Sequence, residues 1–94
     1  MMEMHAIVSG QVQGVGFRAT VCYQATKLDL TGTVSNLSNG SVELYAQGSK
    51  QQLETLLQNI RKNSGLGYIE SITTDFYKPS QNYEHFSILY SRSP

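Results

Sequence analysis

Several residue types are scarce in this 94-residue chain, and each scarcity closes off a class of protein. A single cysteine, Cys22, permits no internal disulfide, so the chain relies on its own core and a reducing compartment is expected. The only two histidines, His5 and His85, stand near opposite ends, with no cysteine or carboxylate at ligand spacing. No metal site and no cofactor are expected from such a pattern. No apolar run approaches membrane-spanning length, and the start, Met-Met-Glu-Met-His, lacks the cationic opening of a signal peptide. A cytoplasmic protein without a membrane partner is the expectation. Neither sign of charge is in excess, since 7 Lys and Arg balance 7 Asp and Glu. That balance denies the chain a broad electrostatic footprint for nucleic acid or anionic lipid. There is no repeat, low-complexity stretch or internal linker. One domain over residues 1–94 follows, long enough to bury roughly 60–65% of the surface its unfolded chain exposes.

What the chain does have is concentrated in Gly10 to Arg18, reading Gly-Gln-Val-Gln-Gly-Val-Gly-Phe-Arg. Glycine reaches positive φ without steric penalty, so successive amides around Gln13, Gly14, Val15, Gly16 and Phe17 can converge on one anion. The residues after Arg18 suit a helix, whose positive N-terminal end would add to such a nest. Arg18 is the only formally charged side chain between Met4 and Thr26. An arginine beside a positive helix end is unfavourable unless an anion or a carboxylate lies near. A small pocket for one phosphate-like group fits these residues. A tight corner between strand and helix, with Arg18 paired to a carboxylate from elsewhere, would fit them too. The loop is neither a Walker motif, lacking Gly-Lys-Ser/Thr, nor a dinucleotide fingerprint, lacking Gly-x-Gly-x-x-Gly.

The rest of the chain supplies a scaffold. Met4, Ala6 and Val8 alternate with His5, Ile7 and Ser9, which reads as a strand over Met4 to Ser9 feeding the loop. Phe17, Val21, Ala25 and Leu28 recur at helical spacing and predict a helix from Arg18 to Asp29. Leu30 to Leu37 and Ser41 to Gln47 are strand-like, joined by Ser38-Asn39-Gly40 with its hairpin signal. Ser49 and Gln52 form a capping-box pattern ahead of Leu53, Leu56, Leu57 and Ile60, with an end expected near Asn63-Ser64-Gly65. Tyr68 to Tyr77 and Glu84 to Tyr90 complete the strands, separated by Lys78-Pro79-Ser80. The order is βαββαβ plus a final strand. Two helices over one face of a mostly antiparallel sheet, a ferredoxin-like α+β sandwich, is the economical arrangement.

With these residues in view, Gly10-Gln11-Val12-Gln13-Gly14-Val15-Gly16-Phe17-Arg18 resembles the acylphosphatase signature Gly-x-Val-Gln-Gly-Val-x-Phe/Tyr-Arg at every fixed position. Gly32, Val34, Asn36, Gly40, Val42 and Gly48 match a second motif of that family, and Phe86-Ser87-Ile88-Leu89-Tyr90 is similar to its last strand. The resemblance runs from His5 to Tyr90. It implies a ferredoxin-like fold and hydrolysis of a small-molecule acyl phosphate to a carboxylate and inorganic phosphate. The family's phosphate-binding arginine falls on Arg18 and its water-orienting asparagine on Asn36. Thr33 and Ser35 depart from the family's usual aromatic and longer side chains, and strand alternation turns both away from Asn36. Ser91 to Pro94 follow as a tail expected to fray.

Two competing readings remain at this level. One is a non-catalytic phosphate-binding module on the same fold, as in the carbamoyl-transferring hydrogenase maturation proteins, where the domain is part of a longer chain. The chain's end just after the fold favours a free-standing enzyme, and the neutral, compact composition makes a monomer the expectation. The other is an RNA-recognition domain, also βαββαβ, which needs stacking aromatics on a central strand. Ser41 to Gln47 offers only Tyr45. Cys22, mid-helix beside Val21 with no base near it in sequence, reads as a packing residue.

Overall fold

Alternating apolar residues at period two and apolar residues at helical spacing meet in a single layer between sheet and helices. In the computed structural model, which describes residues 1–90, the order is β1 (Met2–Gln11), α1 (Phe17–Lys27), β2 (Thr31–Asn36), β3 (Val42–Gly48), α2 (Lys50–Lys62), β4 (Tyr68–Tyr77) and β5 (Phe86–Leu89). The tail expected at Ser91 to Pro94 lies outside the described residues. The strands form one sheet in the order β4-β1-β3-β2-β5, antiparallel except where β5 runs parallel to β2. This is the expected ferredoxin-like arrangement with its final strand at the edge.

Met4, Ala6 and Val8 of β1 and Val42, Leu44 and Ala46 of β3 are fully buried. They pack with Val34 of β2, with Phe17, Val21 and Ala25 of α1, and with Leu53, Leu56 and Ile60 of α2. Each large side chain buried this way contributes about 1.5–3 kcal/mol relative to exposure.

Local chemistry sets the boundaries. The capping box at α2 forms as expected: Gln52 N–H donates to Ser49 Oγ (3.1 Å) and Ser49 N–H to Gln52 Oε1 (2.8 Å). The first helix stops at Lys27, two residues short of the Asp29 expected from apolar spacing. Asp29 adopts φ 59°, and the amides of Asp29 and Leu30 bond back to the carbonyls of Thr26 and Ala25 at 3.0 Å each. That is a Schellman closure with aspartate in the position glycine usually takes. At the hairpin, Leu37 N–H donates to Ser41 O (2.8 Å) and Gly40 N–H to Leu37 O (3.2 Å), with Gly40 at φ 94°. Asn39 fixes this three-residue connection by accepting from Ser41 N–H at 2.9 Å.

The connection from β4 to β5 links opposite edges of the sheet, four strand spacings or roughly 19 Å apart. It crosses the face opposite the helices. There Gln47 donates to the Gln81 carbonyl (2.6 Å) and to Glu3 Oε1 (2.8 Å), while Tyr77 O–H donates to Glu3 Oε2 (3.1 Å). Glu3 is only 2% exposed, so these bonds satisfy a carboxylate that burial would otherwise penalise. Desolvation, then the Glu3 hydrogen bond and charge, push the Tyr77 phenol up from 10.0 to about 12.

Candidate active site

Because β1 and β2 are both antiparallel to β3, they run the same way, and β5 follows β2. The carboxyl ends of three strands therefore share one end of the sheet. The loop after β1, Asn36 at the end of β2 and Tyr90 after β5 all lie there, where α1 begins. A register shift interrupts the β1–β4 pairing between Ser9 and Gly10, and β1 then pairs with β4 alone through Gln11, beyond its last β3 partner at Val8, before entering the loop.

Within the loop, Gly14 and Gly16 stand at φ 75° and 78°. A Cβ at either would meet nothing within 4 Å, so the backbone angle and not space requires glycine there. Gly16 is the N-cap of α1, with no side-chain cap hydrogen bond and no acidic residue in the first turn. The leading amides of α1 thus end without a protein acceptor from a cap, in contrast to the closed capping box of α2. Phe17 turns inward and is buried, which seats this turn on the core.

Arg18 leaves α1 beside those amides. Its Nη1 donates to the Leu89 carbonyl at 3.2 Å, and its Cζ sits 5.0 Å from the centre of the Tyr90 ring. The end of β5 therefore aims the guanidinium, and most of its five donors stay available for an anion. A cleft of about 200 Å³ lies here, its lining including Gly14, Gly16, Arg18, Ala19, Ile88 and Tyr90. A roomier hollow of about 820 Å³ lies between the helices around Tyr23, Lys27, Asn59 and Lys62. It holds none of the glycine-loop residues or Arg18, so the smaller cleft is the candidate site.

Gln13 is placed differently from its neighbours. Its side chain donates to the carbonyls of Leu37 and Ser41, both at 2.7 Å, so only its main chain faces the question of anion binding. Gln13 thereby ties the loop to the hairpin that begins directly after Asn36. Asn36 itself pairs with Val42 and shares the helix-side face with Val34. Its Oδ1 is buried with no hydrogen-bond partner among the described residues. A buried acceptor left open in this way is uncommon and invites a donor such as water. Thr33 and Ser35 pair with Tyr45 and Glu43 in regular register, so neither distorts β2 where Asn36 sits.

Sequence reasoning missed two positioning contacts, the Gln13 strap and the hold of the Leu89 carbonyl on Arg18. Neither leaves a local pattern, although Leu89 stood within a recognised stretch. The other candidates stay apart from this end. His5 Nε2 lies 2.7 Å from Glu43 Oε2 on the opposite face, and half-buried Cys22 donates to the Phe86 carbonyl at 3.5 Å. Among the described residues no three His, Cys, Asp or Glu side chains gather as a metal site would require.

The acylphosphatase family model matches residues 4–88. An acylphosphatase of Clostridium beijerinckii is 38% identical over 90 residues, covering 96% of this chain and all of that protein. The crystal structure of acylphosphatase from Bacillus subtilis superposes with a TM-score of 0.91 at 33% identity, covering 96% of this chain and all of that one. The crystal structure of HypF from T. kodakarensis matches with a TM-score of 0.87 at 29% identity, covering this whole chain but 12% of that much longer one. A family model over residues 4–88, with acylphosphatases similar in sequence and fold over nearly full length, settles the class. The chain belongs to the acylphosphatase family.

Proposed function

We propose that the protein hydrolyses the carboxyl–phosphate bond of acyl phosphates, without a metal, at the cleft beside α1. The observation that carries this reading is the uncapped start of α1 behind Gly14 and Gly16, with Arg18 as the one charged group at its mouth. Amides from Gln13 to Arg18 and the guanidinium hold the phosphoryl oxygens. Each charge-assisted hydrogen bond contributes about 1.5–3 kcal/mol.

Phosphoryl transfer depends on positioning and on stabilising charge over the equatorial oxygens, and a nest with an arginine does both. The Asn36 carboxamide holds a water in line, its Oδ1 accepting a hydrogen bond from that water so that a lone pair faces phosphorus. The water oxygen forms a bond to phosphorus as the bond to the acyl oxygen breaks. The electron pair leaves with the carboxylate, and the water's proton ends on phosphate or solvent. A carboxylic acid has a pKa of roughly 4, so its anion leaves without a general acid. An amide suits position 36 because a carboxylate would be repelled by the phosphate dianion.

The same geometry suits a monomeric cytoplasmic enzyme that needs no cofactor. A second reading, a phosphate-binding module without turnover, is favoured by the likeness to a segment of HypF. One assay separates them: release of inorganic phosphate from benzoyl phosphate by purified protein in EDTA. Undiminished turnover, with inorganic phosphate as a competitive inhibitor, supports the enzyme. Phosphate binding with no turnover supports the module, and activity restored by a divalent metal overturns the metal-free mechanism.

A further inference from the structure

The proposed reaction leaves the acyl group unaccounted for, and Tyr90 is placed to receive it. The cleft of about 200 Å³ has room for roughly seven waters, enough for a phosphoryl group and the first acyl atoms. Anything larger has to leave across the rim. Beside the glycines and Arg18, the cleft lining includes the apolar side chains of Ala19, Ile88 and Tyr90. Tyr90 is 77% exposed, so its ring does little for the core. It nevertheless lies over Arg18, the residue that fixes the phosphoryl group in the proposed mechanism, with 5.0 Å between Cζ and the ring centre.

We infer that the Tyr90 ring is the surface on which the substrate's acyl group lies, making this chain selective for aromatic and other planar apolar acyl phosphates over acetyl phosphate. The inference rests on the hydrolytic reading above. Aromatic pairs gain from offset or edge contact beyond the area they bury, whereas an acetyl group is too small to reach the ring. The main-chain carbonyl of Leu89, not the Tyr90 side chain, supplies the hydrogen bond to Arg18. Removing the ring therefore leaves that anchor in place, and selectivity separates from phosphate binding.

The test compares kcat/KM for benzoyl phosphate and acetyl phosphate in wild type, Tyr90→Ala and Tyr90→Phe, beside the inhibition constant of inorganic phosphate. In Tyr90→Ala the benzoyl-to-acetyl ratio should fall about five- to tenfold, mainly through KM for benzoyl phosphate, while inhibition by phosphate changes less than twofold. Tyr90→Phe should keep the wild-type ratio, because the ring and not the hydroxyl makes the surface. Equal loss on both substrates together with weaker phosphate inhibition would mean that Tyr90 only steadies Arg18, and would overturn the inference. An unchanged ratio in Tyr90→Ala would overturn it as well. Wild type that turns over neither substrate overturns the hydrolytic reading itself, an outcome distinct from a lost preference.

Discussion

Gln13 donates a 2.7 Å hydrogen bond to the Leu37 carbonyl, joining the glycine loop to the residue that follows Asn36. A second bond from the same nitrogen, also 2.7 Å, reaches Ser41 on the far side of the hairpin. Loop and hairpin are thereby tied together directly beside Asn36. If Arg18 and Asn36 act together as proposed, a strap between their elements matters, because small displacements at a reacting centre are costly.

Gln13→Ala should therefore cost about 0.5–1.5 kcal/mol of stability, since two hydrogen bonds are lost while the Leu37 and Ser41 carbonyls keep their main-chain donors, Gly40 N–H and Leu37 N–H. It should also lower kcat more than it raises KM, because the water-holding group drifts while the anion nest remains. Denaturation midpoints beside steady-state kinetics check both. Full activity in a destabilised variant would show that the strap serves folding alone.

Arg18→Ala should reduce kcat/KM at least about a thousandfold, as the charged donor of the site is removed. Arg18→Lys should restore little, since a point charge reproduces neither the planar fork nor the contact with Leu89. A folded alanine variant retaining more than about a tenth of wild-type activity would refute the assignment.

Asn36→Ala should lower kcat about a hundredfold or more while phosphate affinity stays within about twofold. The variant removes an acceptor that is unpartnered in the fold, so stability should change little. Calorimetric titration with phosphate, run beside turnover, reads the two effects separately. Equal loss of binding in Asn36→Ala and Arg18→Ala would dissolve the division of labour.

Tyr77 gives a pH dependence unconnected with catalysis. Its phenol is pushed up from 10.0 to about 12, first by desolvation and then by Glu3, so the folded state holds that proton more tightly. The contribution is complete below pH 10 and is lost as pH rises from 10 towards 12. Wild type should lose stability over that window, and Tyr77→Phe should lose less. The ring is 38% exposed, so the effect at neutral pH should be small, at most about 1 kcal/mol. Urea midpoints measured from about pH 7 to 12 decide it, and parallel curves would remove Tyr77 from the account.

The sequence by itself determined whatever depends on neighbours within a few residues. Met4, Ala6 and Val8 had to face one side because a strand alternates, and Phe17, Val21 and Ala25 had to line one stripe of a helix. Ser49 and Gln52 carried their own reciprocal cap, and two loop glycines announced positive φ before an arginine. The recognised motifs named Arg18 and Asn36 on the same basis, as residue types at fixed spacing. Only the tertiary structure decided what those residues meet. Gln13 finds Ser41 across 28 positions and Arg18 finds Leu89 across 71, and no periodicity encodes either meeting. Asp29 ends a helix that apolar spacing would have carried on, because a short polar side chain tolerates the left-handed turn. The buried Glu3, satisfied by Gln47 and Tyr77, looks like an ordinary surface charge until the chain crosses above it. Local pattern depends on backbone geometry repeated along the chain, and a site depends on which distant carbonyls and rings the closed sheet brings to one end.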